Sequence, residues 1–334
     1  MKYFVSLKKS LLLCFSLCAV MNTQVALGQT TDTYTVTGST FQKNGVPTSW
    51  RGANALHVFG GSSSDMNSWN VDIVREFIGN MRDTPLTGYP VNVGGTYLYS
   101  LQNIVNDNRA NGKVTILCPF GWDGSAATEF VGQNPSQTSW WASYKTKYRA
   151  IAKQFKNQPD VWLEVWNEPY WYDRSHGYSD ALWLSDMKAM VDNIRSTGAT
   201  NIVLVPGAET GQDESVLLAK GPSLLSGRKN IGFDIHAYEK WLRDTQPSVE
   251  SRIQSVKTAG LSMLFGEVGP HNAAEVMNPA NFLAAARTQQ STVSAWLWKY
   301  DGTDLDALLN ADGTPNDNGN NNWGSTYRDF TLNR

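Results

Sequence analysis

The sequence predicts an α/β fold, a single (β/α)8 TIM barrel behind a short N-terminal β-hairpin, and three observations lead there. Short apolar strand-like runs alternate with helical stretches along most of the chain, the signature of parallel βα units. Residues 34–47 alternate in period two around Asn44-Gly45, a two-strand hairpin signal. No linker, repeat or shift in composition divides the remainder, so the units belong to one domain.

The clearest barrel strands fall at 50–54, 114–117, 161–166, 202–205, 231–236, 262–265 and 293–298. The remaining one, second in order, is expected between 81 and 93, where Pro85, Gly88 and Pro90 break the pattern. Helical patterns lie between the strands, for instance at 140–155, 180–196, 249–258 and 279–289. The Asn-, Asp- and Gly-rich stretch 310–322 reads as a surface loop before a last short helix near 325–330.

Ahead of the hairpin, Lys8 and Lys9, an apolar run over 11–21 and Ala26-Leu27-Gly28 form an export signal with a small-x-small cleavage site. The expected organisation is therefore a signal peptide at 1–28 and a catalytic domain at 29–334, secreted to the extracellular space or the periplasm. The apolar run is shorter than the roughly 20 residues of a bilayer-spanning helix, so no membrane is expected as a partner. Cys14 and Cys18 leave with the signal, and Cys118 alone allows neither an intrachain disulfide nor a cysteine metal site. A formal net charge of −2, without long runs of either sign, argues against nucleic acid and anionic membranes. Thirteen Trp suit the faces of sugar rings, although any one of them is more often core. Nothing suggests an oligomer, and a monomer is expected.

Reacting groups in parallel barrels sit at the carboxyl ends of strands. The fourth strand runs into Trp166-Asn167-Glu168-Pro169, and alternation puts Glu168 on the side of Trp162, Glu164 and Trp166, facing the axis. The seventh places Met263, Phe265 and Glu267 in phase, with Gly266 and Gly269 around the carboxylate. Either glutamate alone is more often a solvated loop residue. Together, 99 residues apart, they match the acid/base and nucleophile that a retaining glycosidase holds about 5 to 5.5 Å apart.

With these residues in view, the chain resembles glycoside hydrolase family 5, the cellulase A family. The matching motifs are Arg51-Gly52-Ala53-Asn54 on the first strand, Trp166-Asn167-Glu168-Pro169 on the fourth, His236-x-Tyr238 on the sixth, Gly266-Glu267 on the seventh and Trp298 on the eighth. The resemblance implies Glu168 as acid/base and Glu267 as nucleophile, with substrate held by Arg51, Asn167, His236, Tyr238 and Trp298. Arg51 would keep Glu267 ionised, Asn167 would donate to the sugar 2-hydroxyl, Tyr238 would orient Glu267 and Trp298 would lie under the sugar beside the scissile bond. The blander readings pair Arg51 with Glu164 in a buried ion pair and make His236 a core histidine. Two departures stand out: the third strand, Thr115 to Phe120, lacks the family's histidine, and the second lacks its Val-Arg pattern.

Trp122, Trp171, Tyr172 and Trp241 follow strands three, four and six and are candidates for further sugar subsites. His57 is placed within reach of the cleft, His176 and His271 on surface loops. The four histidines share no ligand spacing, so neither metal nor other cofactor is expected. The expected function is an endo-acting β-1,4-glycanase on a neutral polysaccharide, cellulose-type glucan or β-mannan. Its rivals are an exo-acting β-glycosidase, its cleft walled at one end by the loops 62–67 and 123–137, and a carbohydrate-binding protein without catalysis.

Overall fold

The computed structural model describes residues 30–55, 57, 62–79, 81, 100–120, 130–299 and 304–334. The expected signal peptide and Trp122 lie outside these residues. Three short antiparallel strands, β1 (Tyr34–Thr37), β2 (Thr40–Lys43) and β3 (Val46–Pro47), open the fold. They precede β4 (Arg51–Asn54), β5 (Ile73–Ile78), β6 (Val114–Pro119), β7 (Val161–Glu164), β8 (Val203–Pro206), β9 (Ile231–Ala237) and β10 (Met263–Val268). A two-residue ladder, β11 (His271–Asn272) with β12 (Glu275–Val276), comes before β13 (Val293–Ala295). The strands β4 to β10 and β13 close in chain order into a parallel barrel, with β13 pairing back onto β4.

The helices α1 (Leu101–Ala110), α2 (Trp141–Phe155), α3 (Asp180–Arg195), α4 (Ser215–Leu225), α5 (Glu239–Leu242), α6 (Gln246–Thr258), α7 (Ala280–Thr288) and α8 (Trp323–Leu332) surround it. The caps explain some of the starts: Ser100 and Ser179 accept from Asn103 N and Leu182 N and so satisfy orphan amides of α1 and α3.

The second barrel strand is β5, at 73–78, and the placement at 81–93 is corrected. Its sequence, Ile-Val-Arg-Glu-Phe-Ile, sets two charges side by side and so hides the apolar alternation, yet Arg75 and Glu76 are both buried. The Val-Arg pattern counted as missing is present as Val74-Arg75.

The barrel interior is layered. Its lower layer, built from the first halves of the strands, is apolar: Ile73, Ile116, Trp162, Leu204 and Leu264. The hairpin plugs this end. Phe41 stacks on Trp162 at 5.4 Å, while Tyr34 and Trp50 meet the same indole edge-on. Gly232 makes the plug possible, because a Cβ there would overlap the Phe41 ring. Above this layer lie Asn54, Arg75, Glu164 and Asp234, all buried, and above them the barrel opens. The larger apolar core lies between the outer barrel face and the helices.

Candidate active site

Neither candidate glutamate reaches the barrel mouth by simple alternation. β7 ends at Glu164, and Trp166 points outward, stacked on Trp140 at 5.3 Å with its Nε1 donating to Phe130 O. Glu168 turns back to the opening through a left-handed backbone, φ 46°, a conformation that costs a non-glycine residue of order 1–3 kcal/mol. In β10, Phe265 packs outward against Trp241 and Phe282. The register with β9 slips between Phe265 and Glu267, and this bulge rotates Glu267 inward. The expected phase of Glu168 with Trp166, and of Glu267 with Phe265, is therefore corrected for both residues.

Arg75 joins the groups beneath the opening. Its Nε and Nη2 fork onto Glu164 at 2.7 and 2.9 Å, a bidentate geometry that only guanidinium supplies. Nη1 donates to Asn54 Oδ1 at 2.9 Å and to Glu267 at 2.6 Å. Nη2 also reaches Asn167 Oδ1 at 2.9 Å and Cys118 Sγ at 3.1 Å. Because Arg75 can only donate, the Asn167 atom facing it is the oxygen, and the Asn167 amide is left to donate into the opening.

The same argument fixes His236. Its Nε2 lies 3.4 Å from Arg75 Nη2 and must accept, so Nδ1 carries the hydrogen and donates to Glu168 Oε1 at 2.8 Å. Burial pushes the His236 imidazolium down to about pH 4, and the ring is neutral. Tyr238 donates to Glu267 Oε2 at 2.9 Å. One oxygen each of Glu168 and Glu267, with His236 between them, lie within 4.8 Å of one another.

Burial raises both carboxyls, but their neighbours differ. Glu168 is pushed up to about 8 by burial, against the pull of Arg75 and with added repulsion from Glu164 and Glu239. Glu267 is raised by burial too, while His236, Arg75 and the Tyr238 hydroxyl oppose the rise. A carboxylate receiving a guanidinium and a phenol holds its charge better than one receiving a neutral imidazole. The proton of the pair therefore sits on Glu168. Asp234 is driven well above its ordinary range by burial and by Glu164. As a neutral acid it accepts from Gly266 N at 2.6 Å, and the missing side chain of Gly266 leaves room for its carboxyl.

The opening is a cavity of about 600 Å3. Asn167, Glu168, Tyr238 and Glu267 line it, with Trp171 and Tyr172 on one side and Trp296, His271 and Asp306 on the other.

Five expectations are corrected here. Arg51 lies at the closed end, donating to Ser291 O at 2.8 Å over the Phe330 ring. Three residues from the inward Asn54, it must face outward, and Arg75 takes both roles weighed for it. Trp298 is 1% exposed and packed edge-on against Trp69 at 5.1 Å; Trp296, the first residue past β13, lines the cavity instead. Trp241 is fully buried because the chain turns at once into α5, and its Nε1 donates to Gln212 O. His57 is held between Glu76 Oε1 at 2.5 Å and Asp107 Oδ2 at 2.8 Å, behind the barrel wall, whereas His271 belongs to the cavity. Trp171 stands where expected, 37% exposed on the cavity wall.

Residues 34–302 match the family Cellulase (glycosyl hydrolase family 5). The chain belongs to glycosyl hydrolase family 5. It is 26% identical over 163 residues to a mannan endo-1,4-beta-mannosidase of Cellvibrio japonicus, an alignment covering 48% of this chain and 36% of that protein. A manganese dependent endoglucanase of Phanerodontia chrysosporium is 26% identical over 103 residues, 29% of this chain and 25% of that protein. The chain thus spans about a third or less of the curated relatives it matches. Among solved structures, a beta-mannanase of Streptomyces thermolilacinus superimposes with a TM-score of 0.67 at 20% identity, covering 88% of this chain and 95% of that one. A beta-glucanase of Saccharophagus degradans gives 0.64 at 16% identity, covering 91% and 94%. These likenesses show the barrel fold.

Glu239, Trp296 and Asp306 line the cavity, and Asn54 and Arg75 lie beneath it in contact with its residues; sequence reasoning singled out none of the five as candidates for the site. Asn54 stood in a quoted motif, and Arg75 was legible in Val74-Arg75 had β5 been placed; Asp306 carries no local signal. Two groupings of described residues have the ligand types for a metal ion, Glu168 with His236 and Glu267, and Glu164 with Asp234 and His236. In the second, both Glu164 oxygens already accept from Arg75, and a divalent ion would sit beside a guanidinium. The first is the carboxylate pair itself.

Proposed function

We propose that this chain is a retaining endo-β-1,4-glycanase acting on β-mannan or β-glucan. The observation that carries the reading is the carboxylate pair, one oxygen of each within 4.8 Å of the other, one acid kept neutral and the other held ionised by Arg75 and Tyr238. That spacing suits the direct attack of a retaining pair, roughly 5–5.5 Å apart, better than the roughly 6.5–9.5 Å of an inverting site.

Glu168 gives its proton to the glycosidic oxygen as Glu267 attacks the anomeric carbon. Glu168, now a carboxylate, then takes a proton from water as that water displaces Glu267. The Asn167 amide, fixed by Arg75, donates to the sugar 2-hydroxyl, and Trp296 offers an aromatic face on the side of Glu267. Of the two loops that the exo reading used as walls, 62–67 is not among the described residues lining the cavity, Val131 of the other is, and 123–129 lie outside the described residues. The binding-only reading leaves the tuned pair without a purpose.

Proton NMR of early product from mannan and glucan oligosaccharides tests the proposal: the β-anomer appears first, before mutarotation. A dominant α-anomer, or no hydrolysis of either polymer, refutes it. Export belongs to the same proposal, supported by the apolar run 11–21 and Ala26-Leu27-Gly28, and a monomer is its expected state. N-terminal sequencing and sedimentation of the secreted protein check it.

A further inference from the structure

His236 stands between the two glutamates, its Nδ1 2.8 Å from Glu168 Oε1 and 3.4 Å from Glu267 Oε2. The three side chains come from the ends of different strands, so no spacing in the sequence shows them as a set. Both glutamates line the open cavity. One imidazole and two carboxylates facing an open space are a donor set for a divalent transition-metal ion. Zinc bonds of about 2.0–2.1 Å give a tetrahedral edge of roughly 3.3–3.4 Å, and the His236–Glu267 separation already has that length. Glu168 supplies the adjustment, because its side chain is 18% exposed at the rim. Glu267 is held from below by Arg75 and Tyr238, and Tyr238 takes only one of the two lone pairs on Oε2.

A metal on Nδ1 requires the ring hydrogen on Nε2, and the structure holds a partner for it. Asp234 Oδ2 lies 3.9 Å from Nε2 and is buried with no hydrogen bond of its own, while Oδ1 takes the Gly266 amide. A closure of about 1 Å brings Oδ2 within hydrogen-bond distance. The result is the carboxylate–histidine–metal arrangement that orients a ligating imidazole. The ion displaces the protons of Glu168 and Nδ1, which leave with solvent, and the Asp234 proton crosses to Nε2. Arg75 meets the ring at its Nε2 edge, not at Nδ1, and its Nη2 keeps Glu164, Asn167 and Cys118 as acceptors. The guanidinium thus stays off the face that takes the ion, unlike in the deeper grouping around Glu164.

We propose that Glu168, His236 and Glu267 bind a divalent transition-metal ion of the zinc type, and that the bound ion shuts off hydrolysis by occupying the acid and the nucleophile together. The shut-off rests on the proposed glycanase reading; the binding stands without it. Calorimetric titration of the metal-free protein with zinc chloride reads the binding. Glu168→Gln and His236→Gln each weaken Zn2+ by at least about tenfold, whereas His176→Ala and His271→Ala leave its affinity unchanged. In kinetics on a β-1,4-oligosaccharide, Zn2+ raises KM without lowering kcat, and EDTA restores the metal-free value. Equal Zn2+ affinity in the parent and in both ligand variants overturns the site. So does Mg2+ binding as tightly as Zn2+, because imidazole coordination is what favours zinc. Binding that leaves KM unmoved overturns the shut-off. A parent that hydrolyses no substrate brings down the glycanase reading, and the calorimetry still decides the site.

Discussion

Glu168 and Glu267 receive different donors, and their pH behaviour follows from that. In the proposed mechanism Glu168 carries a proton at the first step, so kcat/KM is expected to fall as pH rises through about 8. The Glu239 charge helps hold that proton; its own oxygens accept from Gln212 and Asn272. Glu239→Gln removes one of the repulsions and lets Glu168 ionise sooner. The alkaline limb then moves to lower pH and activity at pH 8 drops a few-fold, with a pH profile of kcat/KM as the check; an unmoved limb contradicts the electrostatic role. At this scale the sequence exposed the two glutamates, His236, Tyr238 and Asn167, because each stands in a short motif. Arg75 was hidden because an adjacent Arg-Glu pair looks like surface.

Among the elements, the strand ends carry the chemistry through their irregularities. Period-two alternation holds to Glu164 in β7 and to Phe265 in β10, and in each case the side chains beyond face otherwise than it predicts. The pattern names which strands matter, but a left-handed residue and a bulge are backbone events that hydrophobic periodicity does not encode. Gly266 sits at the second of them, and a Cβ there meets the Asp234 carboxyl, which is already fixed by the Gly266 amide. Gly266→Ala therefore forces the bulge apart, with an expected loss of about 1–3 kcal/mol and of at least tenfold in kcat. Denaturant unfolding together with kcat shows whether both fall.

His57 supplies a second element-scale prediction, since it ties the end of β4 to β5 through Glu76 and to α1 through Asp107. Burial disfavours its charge, but the two carboxylates outweigh burial and raise it to about 10, from an ordinary 6.5. Asp107 is lowered to about 2 from 3.8, chiefly by the His57 hydrogen bond and against the pull of burial. A raised histidine stabilises fully below 6.5 and loses its contribution as pH climbs through 10; a lowered aspartate does so above 3.8 and loses it as pH falls through 2. The Tm advantage of the parent over His57→Asn should thus be greatest between about pH 4 and 6.5 and shrink by pH 10. A difference that is flat with pH means that the triad is not charged as described.

For the molecule as a whole, the barrel was readable because seven of its strands are short apolar runs at βα spacing. The hairpin was readable from Asn44-Gly45. What the hairpin is for became clear only in three dimensions: Tyr34 and Phe41 meet Trp162, more than 100 residues away, and seal the end of the barrel opposite the mouth. The plug also fixes where the ends of the described chain lie. Val36 N donates to Asn230 Oδ1 and Gly38 O accepts from Ser262, just before β9 and β10. At the other terminus Arg334 reaches Asp72 and Asn70 O, just before β5. Both ends therefore emerge on the sealed face. An enzyme anchored to a bead or a fibre through either terminus would present its mouth outward, toward the polymer. Covalent capture through residue 334 should leave the specific activity on insoluble mannan or glucan close to that of the free protein, whereas random coupling through lysines should reduce it.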